Sequence, residues 1–370
     1  MMKTEELYYY TSSDTMRFIL TKGNIFATNL KYMNDGEEYT NGLAELRMVL
    51  NDRYKDSDSA EINEITLKTA ILQQPKSYSI SFSSERDLLS QWSMYAKESG
   101  VSLRMDFSRD DGTNKYKLPL NTDSKDFRTV NGFPRQVYYL TKHVMSEREY
   151  GGVCEKIFHD IKEEKTEVPV KMLDDINDGI DTVWRLLAPY VKRKEFFQEA
   201  EYRIVFALNS IEKGVGGSGS KEPGIRIDYR VQNSVLKPYL DVTREDGWPV
   251  KEIMVGPGFN QRTVFDSVRH FLDNADIRVP DYSEDEFKEN GLFFLKNLDK
   301  VNSLDGEKKL KELWERELRP DMSKMELVDS FNRFIDEPKE DTWKQRRLLK
   351  HVYMSHKGII LSMSDTPYIY

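Results

Sequence analysis

Polar and apolar side chains alternate through Ser77-Tyr78-Ser79-Ile80-Ser81-Phe82-Ser83, and period two predicts a strand with a face of serines. A second stretch, Phe196-Phe197-Gln198-Glu199-Ala200-Glu201-Tyr202-Arg203-Ile204-Val205-Phe206, is rich in aromatic and β-branched residues and also reads as a strand. Alternation places Glu199, Glu201 and Arg203 on one of its faces and Ala200, Tyr202 and Ile204 on the other. Such a polar face either meets water, with cross-strand ion pairs, or lines a cleft.

Leu7-Tyr8-Tyr9-Tyr10-Thr11 predicts a short aromatic strand. Ser12-Ser13-Asp14 supplies N-cap chemistry for a helix over 15–22, and Gly23 fits the position just past its end. Further strands are expected over 24–28, 101–107, 136–141, 225–229, 252–255, 277–279 and 358–363. Helical patterns cover 38–54, 60–73, 87–97, most of 147–197, 262–274, 284–298, 307–318 and 323–334. The texture becomes charged and helical after Asp281, which puts a boundary near Ser283: a domain over 1–283, with a helical insertion about 147–197, and a helical extension over 284–370.

Composition narrows the class. The 370 residues are 38% hydrophobic, 12% aromatic and 32% charged, enough for a packed core beneath a polar surface. No apolar run has the length of a membrane span, and the amino terminus lacks the apolar core of a signal peptide. The single cysteine, Cys154, permits no intrachain disulfide, and the expected location is the cytoplasm. A net charge of -8 confines any phosphate binding to local basic patches, such as Lys192-Arg193-Lys194 or the stretch 344–357. Solvated helix faces are the simpler account of both.

Several motifs fail on spacing. The Gly/Ser-rich run 214–221 ends in Ser-Lys, and Pro223 follows where a phosphate-loop helix should begin. His351 and His356 are five residues apart and do not share a helical face. Pro280-Asp281 with Glu286-Phe287-Lys288 echoes a nuclease metal motif at too short an interval.

Three segments together resemble a widespread bacterial family described only as a domain of unknown function. They are Leu7 to Ser12, Ser79 to Ser83 with Gln91-Trp92 and Tyr95-Ala96, and Phe197-Gln198-Glu199-Ala200-Glu201-Tyr202-Arg203. Asn34-Asp35, Gly100-Val101 and Val255-Gly256-Pro257 add to the pattern. The motif order is also similar to that of ADP-ribosyltransferases, including toxins that act on nucleic acids. The resemblance implies an α+β fold: a split mixed/antiparallel β-sheet core of ADP-ribosyltransferase type, with helical insertions and a helical C-terminal extension. It implies NAD as cofactor and substrate, a nucleic-acid or protein acceptor, a toxin or phage-defence role, and an antitoxin protein as partner. Glu201 falls at the catalytic position and Glu199 upstream of it. Tyr9, Tyr10, Thr11, Arg17, Asn34, Asp35, Ser81, Ser83, Trp92 and Arg203 fall among the NAD-contacting positions. Tyr9 stands where that family has His or Arg.

The chemistry wants such residues. Breaking the nicotinamide–ribose bond builds an oxocarbenium-like charge, which a carboxylate at Glu201 counters. Glu199 would orient or deprotonate the acceptor. Aromatic rings such as Tyr9, Tyr10, Tyr78 or Trp92 suit a flat cationic nicotinamide, and an arginine suits the pyrophosphate. A non-catalytic sensor or interaction module on the same fold is the alternative, and a metal-dependent nuclease is a third.

Overall fold

The computed structural model describes residues 6–33, 77–97, 100–107, 127–129, 134–140, 188–208, 226–232, 234–299, 314–336 and 351–366. In chain order the elements begin with β1 (Glu6–Thr11), α1 (Ser13–Lys22), β2 (Asn24–Asn29), β3 (Ser77–Ser83), α2 (Leu89–Tyr95) and β4 (Val101–Asp106). Short strands β5 (Phe127–Thr129), β6 (Arg135–Gln136), β7 (Tyr138–Leu140) and β8 (Val191–Arg193) precede β9 (Glu201–Leu208). Then come β10 (Arg226–Gln232), β11 (Val235–Thr243), β12 (Val250–Val255) and α3 (Gln261–Asn274). The chain closes with α4 (Glu284–Asp299), α5 (Lys324–Asp336), β13 (Tyr353–Met354) and β14 (Ile360–Met363). Helices and a mixed sheet make this an α+β protein. Contacts divide it into two compact units: Met1–Gly23, Glu85–Ser108 and Arg244–Tyr370, and Asn24–Ser84 with Arg109–Thr243.

In the first unit β1 and β4 are antiparallel, as are β4 and β12, while β14 lies parallel to β12 and antiparallel to β13. The cap expected for α1 is present: Ser12 Oγ accepts from the amide of Thr15, and the Gly23 amide donates to Ile19. Gly23 has φ 72, and a Cβ there would lie 2.3 Å from the carbonyl oxygen of Arg244, so both conformation and close approach demand glycine. The segment read from sequence as an extension adds β14 to this unit's sheet. Its helices α4 and α5 enclose a core of Phe287, Phe294, Leu295, Trp314, Leu327 and Phe331, joined by Met354 and Ile360. Residues 277–279, expected as a strand, are irregular: the Arg278 amide donates to Leu20 at the end of α1, and Ile277 is buried. A short apolar run records burial, not strand pairing.

A charged cluster is buried in the same unit. Glu252 on β12 accepts from Arg86 at 2.6 Å and from Ser362 on β14 at 2.7 Å, with Arg104 of β4 3.5 Å away. Arg104 also donates to Glu6 at 2.9 Å and bonds Asn290 of α4. Burial pushes the Glu6 carboxyl up to about 7, because desolvation outweighs the attraction of Arg104. A carboxyl raised in the folded state binds more protons there than in the unfolded chain. Its contribution is therefore full below its ordinary pKa and is lost as pH rises through about 7. Replacing Glu6 by Gln should remove a decline of about 3 kcal/mol between roughly pH 4.5 and 7, at about 1.4 kcal/mol per unit. Urea titrations across that window check it; an unchanged slope in the variant contradicts the assignment.

In the second unit β10, β11, β2, β3 and β9 follow one another, each antiparallel to the next, and β5 and β6 also pair with β9. β11 was not apparent from the sequence, because Lys237 and Pro238 interrupt its apolar pattern. Pro238 lies opposite Tyr229, a position where no ladder donor is needed.

Candidate functional site

The serine strand β3 and the acidic strand β9 are antiparallel neighbours. Ser81 pairs with Arg203 and Ser83 with Glu201, and directly opposed residues share a face. On the reverse face Ile80, Phe82, Ile204 and Phe206 are buried. The serines, Glu201 and Arg203 thus project together from the apolar sandwich of two strands.

The strand reading of 196–208 needs correction at its start. Residues Lys194–Glu199 form a 3₁₀ helix, Ala200 adopts a left-handed conformation with φ 45, and β9 begins only at Glu201. Period two therefore does not carry Glu199 onto the face of Glu201. A left-handed non-glycine residue costs about 1–2 kcal/mol, and here the backbone around it is fixed from β3. The Ser84 amide donates to the Ala200 carbonyl at 2.9 Å, and Ser83 Oγ donates to the Glu199 carbonyl at 2.7 Å.

What reunites the two glutamates is Lys192. Its ammonium donates to Glu199 Oε2 at 2.9 Å and to Glu201 Oε2 at 3.0 Å. Arg203 grips Glu201 with two prongs, Nε to Oε1 at 2.7 Å and Nη2 to Oε2 at 2.9 Å, and its Nη1 donates to the Pro189 carbonyl at 2.6 Å. The Glu201 amide donates to the Tyr139 hydroxyl at 2.8 Å. Lys192, Glu199, Glu201 and Arg203 are all buried. Burial by itself would raise the Glu201 carboxyl. The charges of Arg203 and Lys192, with hydrogen bonds from Arg203 and Ser81, overcome it and hold the group at about 2. Glu201 is thus ionised throughout the physiological range and accepts hydrogen bonds without trading protons.

No family model, curated protein or solved structure matches the chain.

The remaining predicted residues fall in different places. Tyr9, Tyr10, Thr11, Arg17 and Trp92 belong to the first unit, and Asn34 and Asp35 lie outside the described residues. Trp92 and Tyr10 are used for packing: their rings meet edge-on at 4.7 Å within one buried cluster. Trp92 Nε1 donates to Asp87 at 2.6 Å, and the Tyr10 hydroxyl donates to the Glu85 carbonyl at 2.8 Å. Neither ring offers an open face for nicotinamide. Arg17 lies on the outer side of α1, paired with Asp14 at 3.0 Å and set over Phe18. Tyr78, another stacking candidate, is buried on the apolar side of β3.

Two members of the site, Tyr139 and Arg135, were not singled out from the sequence, and a third, Lys192, was a phosphate-binding candidate set aside in favour of a solvated face. Lys192 belongs to a basic triplet read as a solvated surface, yet it is 5% exposed and lies on β8. Tyr139 follows from the parallel pairing of β7 with β8, which sets it opposite Lys192. Arg135 pairs with Arg203 across β6 and β9, on the face of Ser81. Among the described residues no cluster of His, Cys, Asp and Glu is arranged to hold a metal ion, and no helix is long and apolar enough to cross a membrane.

Proposed function

We propose that the chain is an NAD-dependent ADP-ribosyltransferase with Glu201 as its working carboxylate and a nucleic acid or protein as acceptor, acting as a toxin or phage-defence effector. The observation that carries the reading is a buried carboxylate, held ionised near neutral pH by Arg203 and Lys192, beside strand hydroxyls. The second unit's donor set fits the ligand by chemistry: Ser81 and Ser83 suit ribose and amide groups, while Lys192, Arg203 and Arg135 suit a pyrophosphate. NAD bound there would supply the ADP-ribosyl group. Glu201 would accept a ribose hydroxyl and offset the positive charge developing at the anomeric carbon. Its low pKa suits that electrostatic role and disqualifies it as a proton donor. For the substrate hydroxyl to reach Oε2, the Lys192 ammonium would have to loosen its hold on Glu201, which Arg203 would still grip. Glu199, tied to the same ammonium, would be released toward the acceptor.

The alternative is a non-catalytic interaction module. The observation favouring it is that both oxygens of Glu201 already accept from the chain's own cations. One experiment separates the two. Purified protein is incubated with labelled NAD and lysate, beside a Glu201→Gln variant whose folding is checked by thermal melting. Transferase activity predicts label on RNA, DNA or protein with the wild type, and about 100-fold less or lower with the variant. Equal labelling by both removes Glu201 from the mechanism. Absence of label, with no heat of NAD binding by calorimetry, favours the module.

A further inference from the structure

The outer strand of the second unit carries an apolar row facing solvent. Among the described residues β10 pairs with β11 alone. Tyr229 is 58% exposed and Val231 73%, and Leu236, opposite Val231 on β11, is 57% exposed. Tyr229 faces Pro238, which has no amide hydrogen, and the Tyr229 amide donates to the side chain of Asp228 at 2.8 Å. The amide of Tyr229 therefore points away from β11. Because donors and acceptors of a strand alternate sides, Ile227, Tyr229 and Val231 present their backbone groups to the open edge. An exposed edge with an apolar row is a template for another strand.

We propose that β10 pairs antiparallel with β10 of a second copy of the chain, about a two-fold axis through Tyr229. The seven residues Arg226–Gln232 are self-complementary in that register. Tyr229 meets Tyr229, Ile227 meets Val231, and Asp228 meets Arg230. Opposed residues share a face, so the two Asp228–Arg230 pairs form on one side of the joined sheet, each Arg230 exchanging its bond to Thr28 Oγ1 for Asp228 of the second copy. The apolar row of Tyr229, Val231 and Leu236 becomes continuous with its symmetry mate on the other. About six backbone hydrogen bonds close the edge, the Tyr229 amide exchanging its own Asp228 for the carbonyl of the second Tyr229. Moving the axis by one residue either way is penalised. It would set Asp228 against Asp228, or Arg230 against Arg230. Like charges directly opposed destabilise a sheet, so charge selects a single register. The contact is isologous and closes as a dimer, which uses up the edge and stops further growth.

Two charge variants of the full chain test this by sedimentation or light scattering. The wild type should have twice the chain mass. Asp228→Arg alone and Arg230→Asp alone should each be monomeric, since each brings like charges together twice. An equimolar mixture of the two variants should regain the double mass, because every pair is then opposite in sign. A merely structural role for either residue would not produce that rescue. Should a charge variant fail to fold, Val231→Lys serves instead: its side chain is the most exposed of the row, and it should yield a folded monomer. A monomeric wild type, or a double mass unaffected by Val231→Lys, overturns the proposal. So does a folded pair of charge variants that stay monomeric when mixed.

Discussion

Replacing Arg203 by methionine is expected to cost about 3–5 kcal/mol near neutral pH, the range for breaking a buried ion pair from one side. Methionine keeps much of the length and apolar contact of arginine but withdraws both prongs from Glu201 and the donor from the Pro189 carbonyl. Lys192 and Ser81 remain, but the largest attraction opposing the burial of Glu201 is gone. The deficit has a built-in limit, because a carboxylate stripped of its partner can take up a proton. The gap between variant and wild type should therefore narrow as pH falls. In the wild type Glu201 contributes stability above its ordinary pKa and loses it as pH drops from about 4.5 towards about 2. In the variant Glu201 is already protonated at higher pH, so the acid-side loss is smaller. Urea denaturation at about pH 7.5 and about pH 5 measures the gap. A gap that stays constant or widens on acidification would show that Arg203 acts through packing and not through Glu201.

Glu252→Ala should be the more damaging change, at about 5 kcal/mol, the upper end of the same range. Here the anion is removed, and Arg86 and Arg104 are left in a buried site with a cavity between them. A guanidinium does not deprotonate in a protein, so neither arginine can shed its own charge. Ser362 loses its acceptor as well. One neighbour should respond measurably: Glu6, whose carboxyl is raised partly by the charge of Glu252, should ionise more readily once that charge is gone. The expected outcome is a large loss of melting temperature, eased only as far as Glu6 ionises beside Arg104, and, if the variant is soluble, a Glu6 that titrates lower than about 7. A variant melting within a few degrees of wild type would mean that water reaches the arginines and that the cluster is not sealed.

The two charge clusters were unequally visible in the sequence. Glu199, Glu201 and Arg203 stood out because alternation in an apolar strand puts unusual charges on a predictable face. The serines at 77, 79, 81 and 83 stood out for the same reason. Lys192 did not, since a basic triplet is ordinarily solvent-facing; only the pairing of β7 with β8 turns it inward. The buried group of Arg86, Arg104 and Glu252 gave no signal either. Each residue sits alone among unlike neighbours, and the cluster forms only when β4, β12 and the segment before α2 converge. Trp92 and Tyr10 misled in the opposite sense: aromatic residues in recurring motifs suggested a stacking surface, and the structure spends both on core contacts with their polar atoms satisfied.

Local chemistry in the sequence determined the limits of α1, through a serine that caps its start and a glycine whose left-handed backbone ends it. It also determined the alternating faces of β3 and β9, because strand periodicity is a property of the backbone itself. The tertiary structure decided what no local pattern encodes: the register that sets Ser83 beside Glu201, the left-handed turn at Ala200 that takes Glu199 off the strand, and the inward Lys192 that joins the two acids. Those outcomes depend on partners distant in the chain, and the free energy that fixes them, removal of paired charges from water, exists only once the partners have met.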